Sequence, residues 1–285
     1  MAGSADILTT PEQKVILPDL AAGCSMADMA NYEQVTQCWE VLTELGIADQ
    51  TVPVTYMNSS AAIKAFTGEH GGTVCTSSNA QTTLEWAFQS GERVLFLPDQ
   101  HLGRNTAVLK MGLALEECVV WNPWKPRGGL TDHEIKRAKM ILWRGHCSVH
   151  ARFSLDSIKE VRSRISDVQV IVHPECQHEV ALNADIIGST EQIIRTVTDS
   201  PSGSKWAIGT ELNLVKRLAK QNPDKQIVFL DKSVCYCSTM NRIDLPHLVW
   251  AMESLVEGRV VNEIKVPDRT AHYARVALDR MLTLI

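Results

Sequence analysis

The chain reads as an α/β protein whose strands lie mostly parallel in small sheets. Three observations carry that reading. Short apolar runs rich in β-branched residues recur along the chain, longer stretches with helical patterning separate them, and capping signals mark where helices begin. The 285 residues suffice for one large α/β domain or two smaller ones.

The elements follow in order. The first run is Val15-Ile16-Leu17. A helical stretch from Asn31 to Leu45 comes next, and in it Cys38 takes an apolar packing position. Val52 to Tyr56 is the second strand, and Cys75-Thr-Ser-Ser-Asn79 leads into a helix. Val94 to Leu97 is the third strand. Cys118, beside Val119 and Val120, reads as another packed position. Trp121 to Gly129 is a loop and a candidate linker between units. Thr131 and Glu134 form a capping box before the next helix, as do Ser189 and Gln192 further on. Val168 to Val172 and Gln226 to Leu230 are the last strands, with Thr210-Glu211 opening a helix between them. Three apolar runs end in proline and an acid: Leu17-Pro18-Asp19, Leu97-Pro98-Asp99 and His173-Pro174-Glu175. They suggest repeated αβ layers, each with its own sheet, although proline is also an ordinary strand exit.

Composition excludes several classes. The chain is 45% hydrophobic and 21% charged, as a folded chain is. Its formal charge of −5, from 28 basic and 33 acidic residues, disfavours a nucleic-acid binder. No apolar run approaches the ~20 residues of a membrane span. The opening residues have neither a basic region nor an apolar core, so no signal peptide is expected, and the expected location is cytoplasmic. The eight cysteines then read as reduced thiols or metal ligands rather than a disulfide framework. No Cys-x-x-Cys pair supports a zinc finger. Cys24, Cys75, Cys147, Cys176 and Cys237 stand apart from the rest, in loop-like or strand-end contexts.

Ligands of open parallel sheets bind beyond the carboxyl ends of the strands. The polar residues after the expected strands are Cys24, Tyr56, Asn58, Cys75, Ser77, Asp99, His101, His173, Glu175 and Cys176. That mixture suits an enzyme pocket better than a structural site. Hydroxyl residues open three helices, at Thr76-Ser77-Ser78, Ser189-Thr190 and Thr210. One such start is an ordinary N-cap; three together suit an anionic small molecule. Glycine-rich nucleotide cradles are absent from the sequence. His173 and Glu175 lie two apart across a proline, where they can share proton transfers or merely bond a loop backbone.

In order along the chain, VILPDLAAGCSMAD, TYMNSSAAIKA, CTSSNA, VLFLPDQHLGRNTA, WRGHCSVH, VIVHPEC, ADIIGST, WAIGTE and CYCSTM closely resemble quinolinate synthase, the A protein of bacterial NAD biosynthesis. The resemblance runs through nearly the whole chain. It implies a transferase that condenses iminoaspartate with dihydroxyacetone phosphate, releasing water and phosphate to give quinolinate, in functional link with L-aspartate oxidase. It implies three-layer αβα domains around a pseudo-threefold axis, with a [4Fe-4S] cluster at their junction. Three cysteines hold that cluster and one iron stays open as a Lewis acid for dehydration. By the family motifs the ligands fall on Cys24, Cys147 and Cys237, a spacing far wider than the compact ferredoxin runs. Cys235 is then a redox partner or a bystander, and Cys75 and Cys176 are not ligands.

The same motifs place Tyr56 and Asn58 near the open iron, in contact with substrate. Ser77 and Thr190 hold substrate carboxylate or phosphate, and His173 and Glu175 handle isomerisation and proton transfer. Glu175, His173 and Tyr56 form the catalytic set, with His150 and Thr210 as lesser contributors. The implied organisation is a junction remnant at 1–14, a second αβα domain at 15–134, a third at 135–230, and a C-terminal segment at 231–285 with the last cluster cysteine. The family's first domain, which carries a histidine–tyrosine pair and a serine, has no counterpart before Met1. The expectation is therefore a chain that largely lacks that domain, binds a cluster poorly, turns over little, and bares an apolar face. Three other readings compete: a non-catalytic iron–sulfur binding fragment, a metal-free hydrolase or lyase using His and Glu, and a purely structural αβ protein. No nucleic acid or membrane partner is expected.

Overall fold

The computed structural model describes residues 1–232 and 236–284, so Cys235 lies outside the described residues. The strands are β1 (Val15–Ile16), β2 (Thr51–Tyr56), β3 (Thr73–Cys75), β4 (Arg93–Leu97), β5 (Cys118–Trp121), β6 (Met140–Trp143), β7 (Gln169–Val172), β8 (Ile186–Ile187), β9 (Lys205–Gly209), β10 (Gln226–Phe229) and β11 (Glu263–Ile264). Two parallel sheets dominate. The first has five strands in the order β3-β2-β4-β6-β5, and the second has four in the order β10-β9-β7-β8. The α/β class with several small parallel sheets is therefore as the sequence predicts.

Parallel neighbours need a crossover, and helices supply it. Ala61–Glu69 joins β2 to β3, and Ala80–Ser90 joins β3 to β4. Helices on both faces bury the strands twice, which makes them read as continuous apolar runs. Along β4 the side chains alternate between two cores. Val94 and Phe96 pack with Leu84 and Leu102 on one face, while Leu95 and Leu97 pack with Phe66 and Trp143 on the other. The second sheet repeats this, with Val170 and Val172 against Phe153 and Val180, and Ile171 against Ile193 and Val215.

Several expectations need correction. β1 does not join a parallel sheet: it forms a two-residue antiparallel ribbon with β11, Val15 opposite Ile264. The first proline-ended run is thus not a repeat of the other two. The Trp121–Gly129 loop is not a linker between units, because it leads from β5 to β6 within the first sheet. That sheet runs on through Trp143, past the boundary drawn at 134. Cys118 packs as expected, half-buried against the first core from the edge strand β5. Thr210 does not cap the helix Leu212–Gln221; the Glu211 carboxylate does, accepting from the backbone N–H of Asn213 and Leu214. The Thr131–Glu134 capping box forms in both directions, and Ser189 accepts from Gln192 N–H at 3.3 Å.

The C-terminal helix Asp268–Thr283 returns to pack on Ala61–Glu69 and β3. Gly68 permits this approach, since a Cβ there would stand 1.9 Å from the Tyr273 carbonyl oxygen. The helix Leu245–Val256 buries Ala251 and Ser254 while Leu245, Met252 and Val256 stay exposed. No described helix is long and apolar enough to cross a membrane.

Candidate active site

Residues from the carboxyl ends of both sheets meet at Glu175. This carboxylate follows β7, is 3% exposed, and is held by partners from three segments. The Tyr56 phenol, at the end of β2, lies close enough to it for the two groups to shift each other's titration. His150, from the turn after β6, brings Nδ1 to 3.0 Å from Glu175 Oε2. That contact is close enough for an ion pair but off the line of a hydrogen bond. The third partner, His173, stacks on His150 with ring centres 4.6 Å apart. Its Nδ1 lies 3.7 Å from Glu175 Oε1 and accepts the Glu175 backbone N–H at 3.3 Å. An accepting Nδ1 carries no proton, so His173 is the neutral Nε2–H tautomer and the 3.7 Å approach is not an ion pair.

The electrostatics follow from this packing. Burial alone would raise the Glu175 carboxyl; the charged His150 and the Tyr56 phenol beside it outweigh burial and hold it below the usual carboxylate range. Burial works against charge on His150, but Glu175 and Cys147 overcome it, so this imidazole is held protonated. Burial dominates at His173 and keeps it neutral. It also pushes the Tyr56 phenol up, with Glu175 adding to the effect, so Tyr56 stays a donor. Asp99, fully buried after β4, is raised by burial and by Glu175. Its Oδ1 accepts from His101 and Leu102 N–H, while Oδ2 has no hydrogen-bond partner among the described residues.

Two residues that sequence reasoning missed hold this set in place. Asn105, 1% exposed at the end of the helix Gln100–Asn105, donates both amide hydrogens to the carbonyls flanking Glu175, those of Pro174 and Cys176, each at 2.8 Å. Its oxygen lies 2.8 Å from His178 Nδ1. Lys64, also 1% exposed, lies beneath the turn that carries Tyr56 and Asn58. Its ammonium donates to Met57 O at 2.8 Å, Ser59 O at 2.7 Å and Ser59 Oγ at 3.2 Å. Both residues stand inside motifs quoted above, but nothing in their local pattern marks a buried role.

The cysteines divide. Cys147 Sγ, a His150 ring nitrogen and a Glu175 oxygen all lie within 4.8 Å of one another. Gly145 lets this turn press against the exit of β4, since a Cβ there would meet Pro98 O at 2.3 Å. Cys24 packs against the same core as Cys147 and is close enough to be influenced by it and by Glu175. Burial pushes the Cys24 thiol up, and the nearby backbone N–H groups of Ala27 and Met26 pull the other way. Cys237 Sγ lies 3.4 Å from Thr239 Oγ1 in its own turn. The next residue of that turn, Met240, lines a 310 Å³ cavity with Cys24 and Asn58. Cys75 and Cys176 are fully buried, and burial raises both thiols.

Ser77 is half-buried in the turn before Ala80–Ser90, and Thr190 is exposed as the first residue of Thr190–Asp199. No hydrogen bond joins either to the Glu175 set among the described residues. Thr210 does reach it, with Oγ1 3.3 Å from His150 Nε2.

Comparison with known proteins identifies the family. The sequence model of the quinolinate synthetase A protein family matches residues 1–283. Quinolinate synthase of Streptomyces coelicolor is 68% identical over 286 residues, covering 100% of this chain and 73% of the relative. The enzyme of that name from a Nocardioides species is 65% identical, with 100% and 74% covered. Its namesake from Corynebacterium glutamicum is 56% identical, with 100% and 72% covered. By that match, along its length, the chain belongs to the quinolinate synthetase A protein family.

Proposed function

We propose that the chain is a quinolinate synthase, joining iminoaspartate to dihydroxyacetone phosphate with loss of water and phosphate. The observation that carries this reading is the buried Glu175 carboxylate set between a charged imidazole, a neutral imidazole and a phenol, with the Cys24 and Cys147 thiols alongside. Glu175 takes and returns the protons of isomerisation and ring formation, with His150 and Tyr56 as its proton relay. His173 presents Nε2–H to a substrate oxygen. Asn58 orients substrate from the cavity beside Cys24. Ser77 and Thr190 stand at helix N-termini, where free N–H groups suit carboxylate or phosphate. Iminoaspartate is supplied by an enzyme that oxidises aspartate.

Cys24, Cys147 and Cys237 would hold a [4Fe-4S] cluster. The donors fit one: the Cys24 and Cys147 thiols pack against the same core, the backbone N–H groups of Ala27 and Met26 favour the Cys24 thiolate, and sulfurs on different corners of a cluster need not crowd around one point. When bound, the cluster supplies a Lewis-acidic iron for dehydration.

The test is anaerobic reconstitution, visible absorption of the cluster, and quinolinate measured as product. Glu175→Gln is expected to keep the absorption and lose turnover by roughly 10²-fold or more. A cluster-loaded Glu175→Gln chain that turns over at the parent rate would overturn the assignment. So would Cys147→Ser retaining both cluster and activity.

A further inference from the structure

Three donor atoms of different kinds converge where the two sheets meet. They are the Cys147 sulfur, a His150 ring nitrogen and a Glu175 oxygen, mutually within 4.8 Å. His150 Nδ1 is buried and has no hydrogen-bond partner among the described residues, yet it faces Glu175 Oε2 at 3.0 Å. The other nitrogen, Nε2, lies 3.3 Å from Thr210 Oγ1. Ligand histidines are held in this manner, one nitrogen aimed at the ion and the other fixed by an outer hydrogen bond. The Glu175 carboxylate has the Tyr56 phenol near it as well.

With the His150 proton and the Cys147 proton released on binding, one thiolate, one neutral imidazole and one carboxylate suit a borderline divalent cation and balance its charge. Three protein ligands leave the fourth tetrahedral position open. Among first-row ions, zinc binds such a set more tightly than ferrous iron does. We propose that the cluster-free chain binds one zinc-class divalent cation through Cys147, His150 and Glu175, and that this ion blocks cluster assembly by occupying Cys147. The ion site stands on geometry alone; the blocking step rests on the cluster reading above.

The experiment titrates the reduced, cluster-free full chain with Co²⁺ in the absence of oxygen. The expected result is one cobalt per chain, with tetrahedral visible bands and a near-ultraviolet sulfur-to-cobalt charge-transfer band, both erased by Zn²⁺. Cys147→Ser removes the charge-transfer band. His150→Gln and Glu175→Gln weaken binding by roughly tenfold or more, with circular dichroism confirming that each variant is folded. Cys24→Ser and Cys237→Ser leave cobalt binding unchanged while losing the cluster, which separates this site from the cluster. No stoichiometric cobalt binding, a charge-transfer band that survives Cys147→Ser, or one that disappears in Cys24→Ser overturns the ion site. A zinc-loaded chain that takes up a cluster as readily as the metal-free chain overturns the blocking step. If Cys24→Ser and Cys237→Ser assemble normal clusters, the cluster reading fails and the ion site remains.

Discussion

Lys64 puts a buried ammonium under the turn that carries Tyr56 and Asn58, and all three of its acceptors are oxygens of Met57 and Ser59 rather than carboxylates. Burial lowers its pKa from 10.5 to about 8. The sign of the consequence is fixed. Between about 8 and 10.5 the unfolded chain carries a proton on this amine that the folded chain has released, so this group makes stability rise with pH across that window. A full shift of this size amounts to at most about 3 kcal/mol. In Lys64→Met that rise should vanish. The variant should also be about 1–3 kcal/mol less stable at pH 7, because two buried carbonyls lose their donor. Denaturant midpoints of both chains from pH 7 to 10.5 check this, and parallel curves would refute it. Local pattern hides Lys64, since a lysine within Ala-Ile-Lys-Ala-Phe reads as a solvated side chain. Tyr56, His173 and Glu175 are legible as candidates because the first ends a recognisable strand and the other two follow one. His150 follows no such pattern, and only its family motif marks it.

At the scale of elements, Gly68 is where two helices touch. Alanine there brings two opposed effects. Helix propensity favours alanine by ~1 kcal/mol. The new Cβ, however, would meet backbone of the C-terminal helix, which cannot swing aside as a flexible side chain would. Overpacking of this kind costs about 1–3 kcal/mol, so Gly68→Ala should be destabilising on balance. A lower urea midpoint with an unchanged slope is the expected outcome, and a higher midpoint would show that the helices separate at little cost. The same packing logic governs which strands could be read. Val94 to Leu97 are all fully buried and show as an unbroken apolar run. Ile186–Ile187 and Thr73–Cys75 are too short for any periodicity to appear. Val15–Ile16 looks like the other runs but pairs with Glu263–Ile264 at the far end of the chain, a choice that no local pattern encodes.

For the whole molecule, the question is how two separately built sheets present one constellation. Tyr56 comes from the first sheet and Glu175 from the second. Asn105 links them by gripping both carbonyls beside Glu175 from a helix of the first unit. Asn105→Asp keeps the shape but replaces the donating amide with an acceptor facing two carbonyl oxygens. The loss in stability should be about 2–3 kcal/mol, for two buried acceptors without a donor. The larger effect belongs to catalysis, because a displacement near 1 Å can cost about 10²-fold in rate. The expected signature is a fall in kcat with KM little changed. Stability loss alone would produce a similar fall in active fraction, so the double mutant decides. If Asn105 acts by holding Glu175, its substitution should have almost no further effect on kcat in a Glu175→Gln background, since the group it positions is already gone. Should the two losses multiply instead, Asn105 contributes to stability without directing the carboxylate, and the link between the sheets is structural alone.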